Sequence, residues 1–139
     1  MQKLFIPALL LTLLAFGCAK SDEESLKPAA WVVSLYEVES VAQIGFDVKT
    51  SMFSGYTFEF NNDNQLRIHL PDGNTSEAKW AMDPANSLAA FTMQTPFAPM
   101  DEIVGDWLVI EQTATTLKLS KSIPTTTNDE DANLHFQQQ

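Results

Sequence analysis

The 139-residue sequence has few of the residues that build most catalytic and metal sites. It contains one cysteine (Cys18), two histidines and five glycines. A single thiol cannot form an intrachain disulfide, and a metal centre needs three or four converging ligands. No nucleophile motif or glycine-rich phosphate loop is present. These absences argue against an enzyme, and we expect no catalytic residues, no cofactor and no metal site.

Positive charge is also scarce. The chain has eight Lys and Arg against 18 Asp and Glu, which gives a formal net charge of −10. Proteins that bind nucleic acid need a basic surface to face the phosphates, so the sequence argues against that class. The same acidity disfavours attachment to anionic lipid through protein charge.

The longest apolar run, Leu4–Phe16, is interrupted only by Thr12 and follows the positive charge of Lys3. It is shorter than the roughly 20 apolar residues that a membrane-spanning helix needs. A short apolar region that ends in small residues is typical of a secretory signal peptide. We therefore predict a signal peptide over residues 1–17.

The residues Leu14-Ala15-Phe16-Gly17-Cys18 resemble the lipobox of bacterial lipoproteins. The resemblance implies cleavage before Cys18 and attachment of palmitate-type acyl chains to it, which would anchor the protein firmly in a membrane. Ala15-Phe16-Gly17 also satisfies the small-x-small rule of ordinary signal peptidase, which would leave a free thiol. Both alternatives place the mature protein in the cell envelope, and we favour lipidation.

Residues 18–29 have little to bury and predict a flexible acidic tether. Within them, Lys20-Ser21-Asp22-Glu23-Glu24 resembles the charged signal that sends some lipoproteins to the outer leaflet of the outer membrane, although a solvated tether explains it equally well. We expect an outer-membrane, lipid-anchored protein that is periplasmic or surface-exposed. The mature chain keeps seven of the eight basic residues and all 18 acidic ones, a net charge of −11.

Residues 30–139 have the length of one domain, and their apolar residues recur with period two. In YTFEF, the side chains of Tyr56, Phe58 and Phe60 alternate with polar ones, and QLRIHL repeats the pattern with Leu66, Ile68 and Leu70. The intervening residues 61–64 tolerate turn geometry, so the two strands predict a hairpin.

Further strands are predicted in WVVSLYEVE, EAKWAM, SLAAFTM, IVGDWLVIEQ, TLKLS and NLHF. Their predicted inward residues include Ala78, Trp80, Met82, Trp107, Val109, Leu117, Leu119, Leu134 and Phe136. About eight short strands with polar turns predict an all-β fold, either a sandwich or a closed up-and-down antiparallel barrel. The longest predicted loop is 121–133.

The order of these motifs, from WVVSLYE through FSGYTFEF and DWLV to NLHF, resembles the lipocalin-like domains of small bacterial lipoproteins. The resemblance covers about Ala30 to Phe136 and implies a small up-and-down, calycin-like barrel. It also suggests that the barrel binds a small apolar or amphipathic ligand. One departure is that Ala78 stands where the family has a glycine before the tryptophan of its third strand.

The sequence leaves two noncatalytic functions, of which we expect the first, with the second as the alternative. In the first, the barrel encloses a small hydrophobic or amphipathic ligand, lined by Tyr56, Phe58, Phe60, Trp80 and Trp107. In the second, these large aromatic side chains plug the interior, because an eight-stranded barrel is only just wide enough for its own side chains or one small ligand. The protein would then contact another envelope protein through loops such as 121–133.

Overall fold

A computed structural model of the chain describes residues 30–40, 42, 44–124 and 129–139. The described residues form two short 3-10 helices, Thr50–Phe53 and Met100–Glu102, and nine β-strands. The strands are β1 (Trp31–Ser40), β2 (Gly45–Val48), β3 (Thr57–Phe60), β4 (Gln65–His69), β5 (Thr75–Asp83), β6 (Leu88–Thr92), β7 (Gly105–Gln112), β8 (Thr116–Pro124) and β9 (Asp129–Gln138).

Eight of these strands close into an antiparallel barrel. From β3 to β9, each strand pairs with the next along the chain, and β1 closes the barrel by pairing with both β3 and β9. The ninth strand, β2, pairs only with the second half of β1. The predicted all-β, up-and-down barrel of about eight strands is confirmed.

Because neighbouring strands run in opposite directions, the connections lie at two ends of the barrel. The proximal end contains Ala30, the connections 61–64, 84–87 and 113–115, and the C-terminus. There the amide of Gln139 donates to the Ala30 carbonyl at 2.9 Å. The distal end contains the connection between β1 and β2, the turn 70–74 and the segment 93–104. Residues 1–29, which include the predicted signal peptide and the whole of the predicted tether, lie outside the described residues.

The predicted hairpin is formed by β3 and β4. Phe58 and Phe60 of β3 and Leu66 and Ile68 of β4 are all buried, as the period-two pattern predicts. Asn64 has a φ of 64°, a left-handed conformation that asparagine tolerates better than most residues. The Asn61 amide donates to the Gln65 carbonyl at 2.9 Å and closes the turn.

Aromatic rings fill the middle of the barrel around Phe60. Edge-on contacts join its ring to those of four other residues, with centroid separations of 5.7 Å to Trp31, 5.3 Å to Trp80, 6.3 Å to Phe91 and 5.5 Å to Phe136. Edge-to-face geometry is the favourable arrangement for aromatic quadrupoles. These residues belong to β1, β5, β6 and β9, so the ring of Phe60 connects β3 to four other strands of the barrel.

The structure departs from the sequence-based expectation at the distal end. The loop predicted over 121–133 is wrong, because β8 continues to Pro124, β9 begins at Asp129, and these two residues are paired. Residues 125–128 lie outside the described residues. Sequence periodicity missed these strand segments because Ile123 and Ala132 are their only apolar inward residues. The pattern also assigned no strand to β2.

We predict that Phe60→Ala lowers the free energy of unfolding by about 3–5 kcal/mol, because it removes a large buried ring and leaves a cavity. The exposed Phe46 provides a matched control, and Phe46→Ala should change the stability by less than about 0.5 kcal/mol. Urea denaturation followed by circular dichroism measures both values. Equal losses in the two variants would contradict the central position of Phe60.

Candidate functional site

The five residues predicted to line a ligand site are spread over the interior and the barrel wall. Phe58, Phe60 and Trp107 are fully buried, whereas Tyr56 and Trp80 are half-buried. The rings of Phe58 and Phe60 pack edge-on against Phe136, with centroid separations of 5.2 Å and 5.5 Å. The role of the five residues toward a ligand stays a prediction.

The void inside the barrel beside Phe58 is very small, with a volume of about 10 Å³. Its lining is almost wholly apolar and comprises Phe58, Leu66, Ile68, Ala78, Phe91, Thr92, Met93, Met100, Ile103 and Val104. Sites for drug-sized ligands have volumes of roughly 300–1,000 Å³. The void beside Phe58 is therefore about the size of one water molecule.

Trp80 closes the proximal end of the barrel. Its indole Nε1 donates to the carbonyls of Asn61 at 3.2 Å and Gln65 at 3.1 Å, and its backbone amide donates to Asn64 at 3.0 Å. The same ring packs edge-on against Phe60. These contacts give Trp80 a structural role, because it fastens the β3–β4 turn over the aromatic core.

Larger cavities lie on the outer surface. One of about 460 Å³ crosses β4, β5 and the end of β6, and five of its seven lining residues are polar: Gln65, Glu77, Ala78, Lys79, Thr92, Met93 and Gln94. Another of about 310 Å³ lies between β1 and the first 3-10 helix, and Tyr56 is on its rim. Both are open to solvent, and neither encloses the apolar site that the sequence predicted.

A cluster of polar side chains holds the second 3-10 helix over the distal end. The buried Tyr36 donates its hydroxyl to Glu102 Oε2 at 2.5 Å. Lys121 Nζ donates to the Glu102 carbonyl at 3.3 Å and lies 4.1 Å from the ring centroid of Trp107, a cation–π contact. Trp107 Nε1 donates to the Ile103 carbonyl at 2.7 Å.

Burial shifts the proton equilibria in this cluster. Burial and, after it, the hydrogen bond to Glu102 raise the pKa of Tyr36 well above its usual range. Burial lowers the pKa of Lys121, and the nearby Glu102 carboxylate partly offsets this effect. The role of the cluster is structural, because its contacts hold residues 100–103 against the distal end of the barrel. The sequence did not reveal it because Lys121 lay in a predicted loop and no role was predicted for Glu102.

The two histidines face outward, as the strand register predicts. His69 Nε2 lies 3.2 Å from Glu59, and burial followed by the positive charge of Lys118 lowers the pKa of the half-buried His135. Within residues 30–40, 42, 44–124 and 129–139, no three His, Asp or Glu side chains are grouped to hold a metal ion. The same residues contain no helix long and apolar enough to cross a membrane.

The outer face of β1 and β2 at the distal end carries exposed apolar side chains beside acidic ones. Phe46 and Val48 of β2 are 48% and 61% exposed, and Ile44 just before them is fully exposed. Their cross-strand partners on β1 are Glu39 for Phe46 and Glu37 for Val48. No strand was predicted for this surface, although the alternation of Phe46 and Val48 around Asp47 is typical of a strand.

Comparison with known proteins supports the fold. Neither a family model nor a curated protein matches the sequence. The structure is similar to the crystal structure, at 1.00 Å resolution, of a DUF4847 family protein from Bacteroides vulgatus. The two share 14% sequence identity and a TM-score of 0.51, over 79% of this chain and 92% of that chain. At this identity the likeness concerns the fold alone, and it is consistent with a calycin-like antiparallel barrel.

We predict that Tyr36→Phe lowers the stability at neutral pH by about 1.5 kcal/mol, because the hydrogen bond to Glu102 is lost. The difference from the native protein should shrink above about pH 10, where an unfolded tyrosine ionises. The pKa of Tyr36 is raised in the folded state. The contribution of its hydroxyl to the free energy of unfolding is therefore complete below about pH 10. Above that pH it is lost at up to about 1.4 kcal/mol per pH unit.

Urea midpoints measured between pH 8 and pH 11 test this prediction. All other groups titrate in both proteins, so the difference between them isolates Tyr36. A difference that stays constant over this range would show that Tyr36 ionises as easily in the folded protein as in the unfolded chain.

Proposed function

We propose that this protein is a noncatalytic, lipid-anchored protein of the bacterial cell envelope, and that its filled barrel is an interaction module for another envelope protein. The observation that carries the proposal is the 10 Å³ void inside the barrel. A barrel whose interior is filled by its own side chains has its outer surface to offer to a partner.

The energetics of the interior favour this function over the enclosure of an apolar ligand. To admit such a ligand, the barrel would have to expel at least one buried ring. Each ring buries roughly 150–250 Å², so at about 25 cal/mol per Å² its exposure costs ~4–6 kcal/mol. A ligand would have to recover this cost before it gained any affinity.

The anchor is the predicted acyl group on Cys18. Residues 18–29 precede the barrel, and the first described residue, Ala30, lies at the proximal end. Twelve residues reach at most roughly 40 Å when fully extended. In this proposal the proximal end therefore stays within that distance of the outer membrane, and the distal end is free to meet a partner.

The anchor is tested by Cys18→Ser in the full chain. We expect the variant to leave the membrane fraction and appear as a soluble protein, because the remaining small-x-small sequence still permits ordinary signal cleavage. Fractionation of cells that express either form measures this, with the native chain as the control. Continued membrane retention of the variant would exclude a Cys18 lipid anchor.

The same soluble variant tests the filled interior. Native mass spectrometry after purification from a bacterial envelope should give the mass of the chain alone. A lipid or hydrophobic metabolite that copurifies and is lost in the Phe58→Asp variant, provided that this variant still folds, would instead support the ligand-binding function. Solvent extraction of the same sample identifies any such molecule.

A further inference from the structure

The β2 strand has an open edge among the described residues. It lies at one edge of the sheet, and β1 is the only described strand that pairs with it. Unpaired strand edges are templates for the addition of another strand, and proteins usually cover them or keep them short and charged. This edge is short and carries Asp47, but it also carries two exposed apolar side chains.

The register of β2 determines which backbone groups are available. The Lys49 amide donates to the Tyr36 carbonyl at 2.7 Å, so these two residues form a hydrogen-bonded pair. Asp47 and Val38, each two residues away from that pair on its own strand, are also opposite each other. In an antiparallel pair, backbone groups alternate between the two sides of a strand. The amides and carbonyls of Asp47 therefore point toward β1, while those of Phe46 and Val48 point outward, ready to pair with an incoming strand.

The side chains around this edge define the chemistry of a matching strand. Phe46 and Val48 project from the outer face and favour apolar neighbours, whereas Asp47 lies between them on the opposite face and favours a basic one. Beyond Phe46 and Val48, the outer face is acidic. It carries Glu37, Glu39 and Asp131, with the Asp131 amide bonded to Glu39 Oε2 at 3.3 Å.

We infer that the open edge of β2 binds an extended segment of another protein, in which apolar side chains alternate with basic ones. The inference rests on the proposed function and names the surface and the partner class. Main-chain hydrogen bonds to Phe46 and Val48 supply the affinity, as in other strand-addition complexes. The basic side chains, which lie on the same face as Asp47, supply the selectivity through this carboxylate and through the net negative charge of the chain.

Charge argues against a second copy of this chain as the occupant. Each mature chain carries a net charge of −11. Antiparallel pairing of two β2 strands with Phe46 opposite Val48 of the other copy would also place Asp47 opposite its own counterpart. Like charges directly opposite each other destabilise a strand pair. A basic segment meets no such repulsion.

The test uses the full chain with Cys18→Ser and a capped octapeptide of alternating valine and lysine. Amide hydrogen exchange, followed by nuclear magnetic resonance, should show saturable binding. Exchange at Phe46 and Val48 should slow at least tenfold, while Asp47, already bonded to β1, should change little. The matched peptide with glutamate in place of lysine should bind at least tenfold more weakly.

Two variants and one control examine the edge itself. Val48→Pro removes an outward-pointing amide, which an edge strand tolerates, and should weaken peptide binding at least tenfold. The double variant Phe46→Ser, Val48→Ser keeps the backbone and should also weaken it, so the test does not depend on the proline variant folding. Ile110→Ser removes a similarly exposed apolar side chain from β7 and should alter the affinity by less than twofold.

Several results would overturn the inference: no saturable binding, equal binding of the two peptides, or affinity unaffected by both edge variants. Sedimentation that shows a dimer, lost in Val48→Pro, would assign the edge to a second copy instead. Failure of the peptide-binding test would not affect the proposals of a filled interior and of a lipid anchor on Cys18. A copurifying lipid in the native mass spectrum would instead overturn the proposed function and leave the peptide result standing.

Discussion

The packing of aromatic rings around Phe60 is the interaction on which the rest of this structure depends. Its ring contacts Trp31, Trp80, Phe91 and Phe136, which come from four other strands of the barrel. An eight-stranded barrel has only enough interior for its own side chains or one small ligand. Here aromatic side chains occupy the middle of that space, and the same packing that closes the barrel is what the proposed function rests on.

The proposed interaction function depends on the outer surface, and the two ends of the barrel differ in structure. At the proximal end, Trp80 ties the β3–β4 turn to the core through carbonyls of Asn61 and Gln65. At the distal end, Tyr36 and Lys121 clasp the second 3-10 helix. The open edge of β2 lies at the distal end, away from the predicted anchor, where a partner has free access.

Much of the fold follows from local patterns in the sequence. The alternation of Phe58 and Phe60, and of Leu117 and Leu119, predicts both the strands and their buried faces, because side chains in a strand have a period of two. The strand segments around Ile123 and Ala132 escaped prediction because they gain their burial from paired neighbours. Local patterns also could not predict whether the interior is filled or open, because the size of a void depends on how rings from distant strands pack together. The outer surface around Phe46 depends on the absence of a neighbour, which no local pattern encodes.

The central claim is that the barrel interior is full, and a crystal of the protein under xenon pressure measures this most directly. Xenon enters dry apolar cavities of the size left by a removed side chain, about 150 Å³. We predict no xenon inside the barrel, since the void beside Phe58 has a volume of only about 10 Å³. Xenon, or continuous density from a copurified molecule, enclosed by Phe58, Phe60 and Phe91 would contradict it.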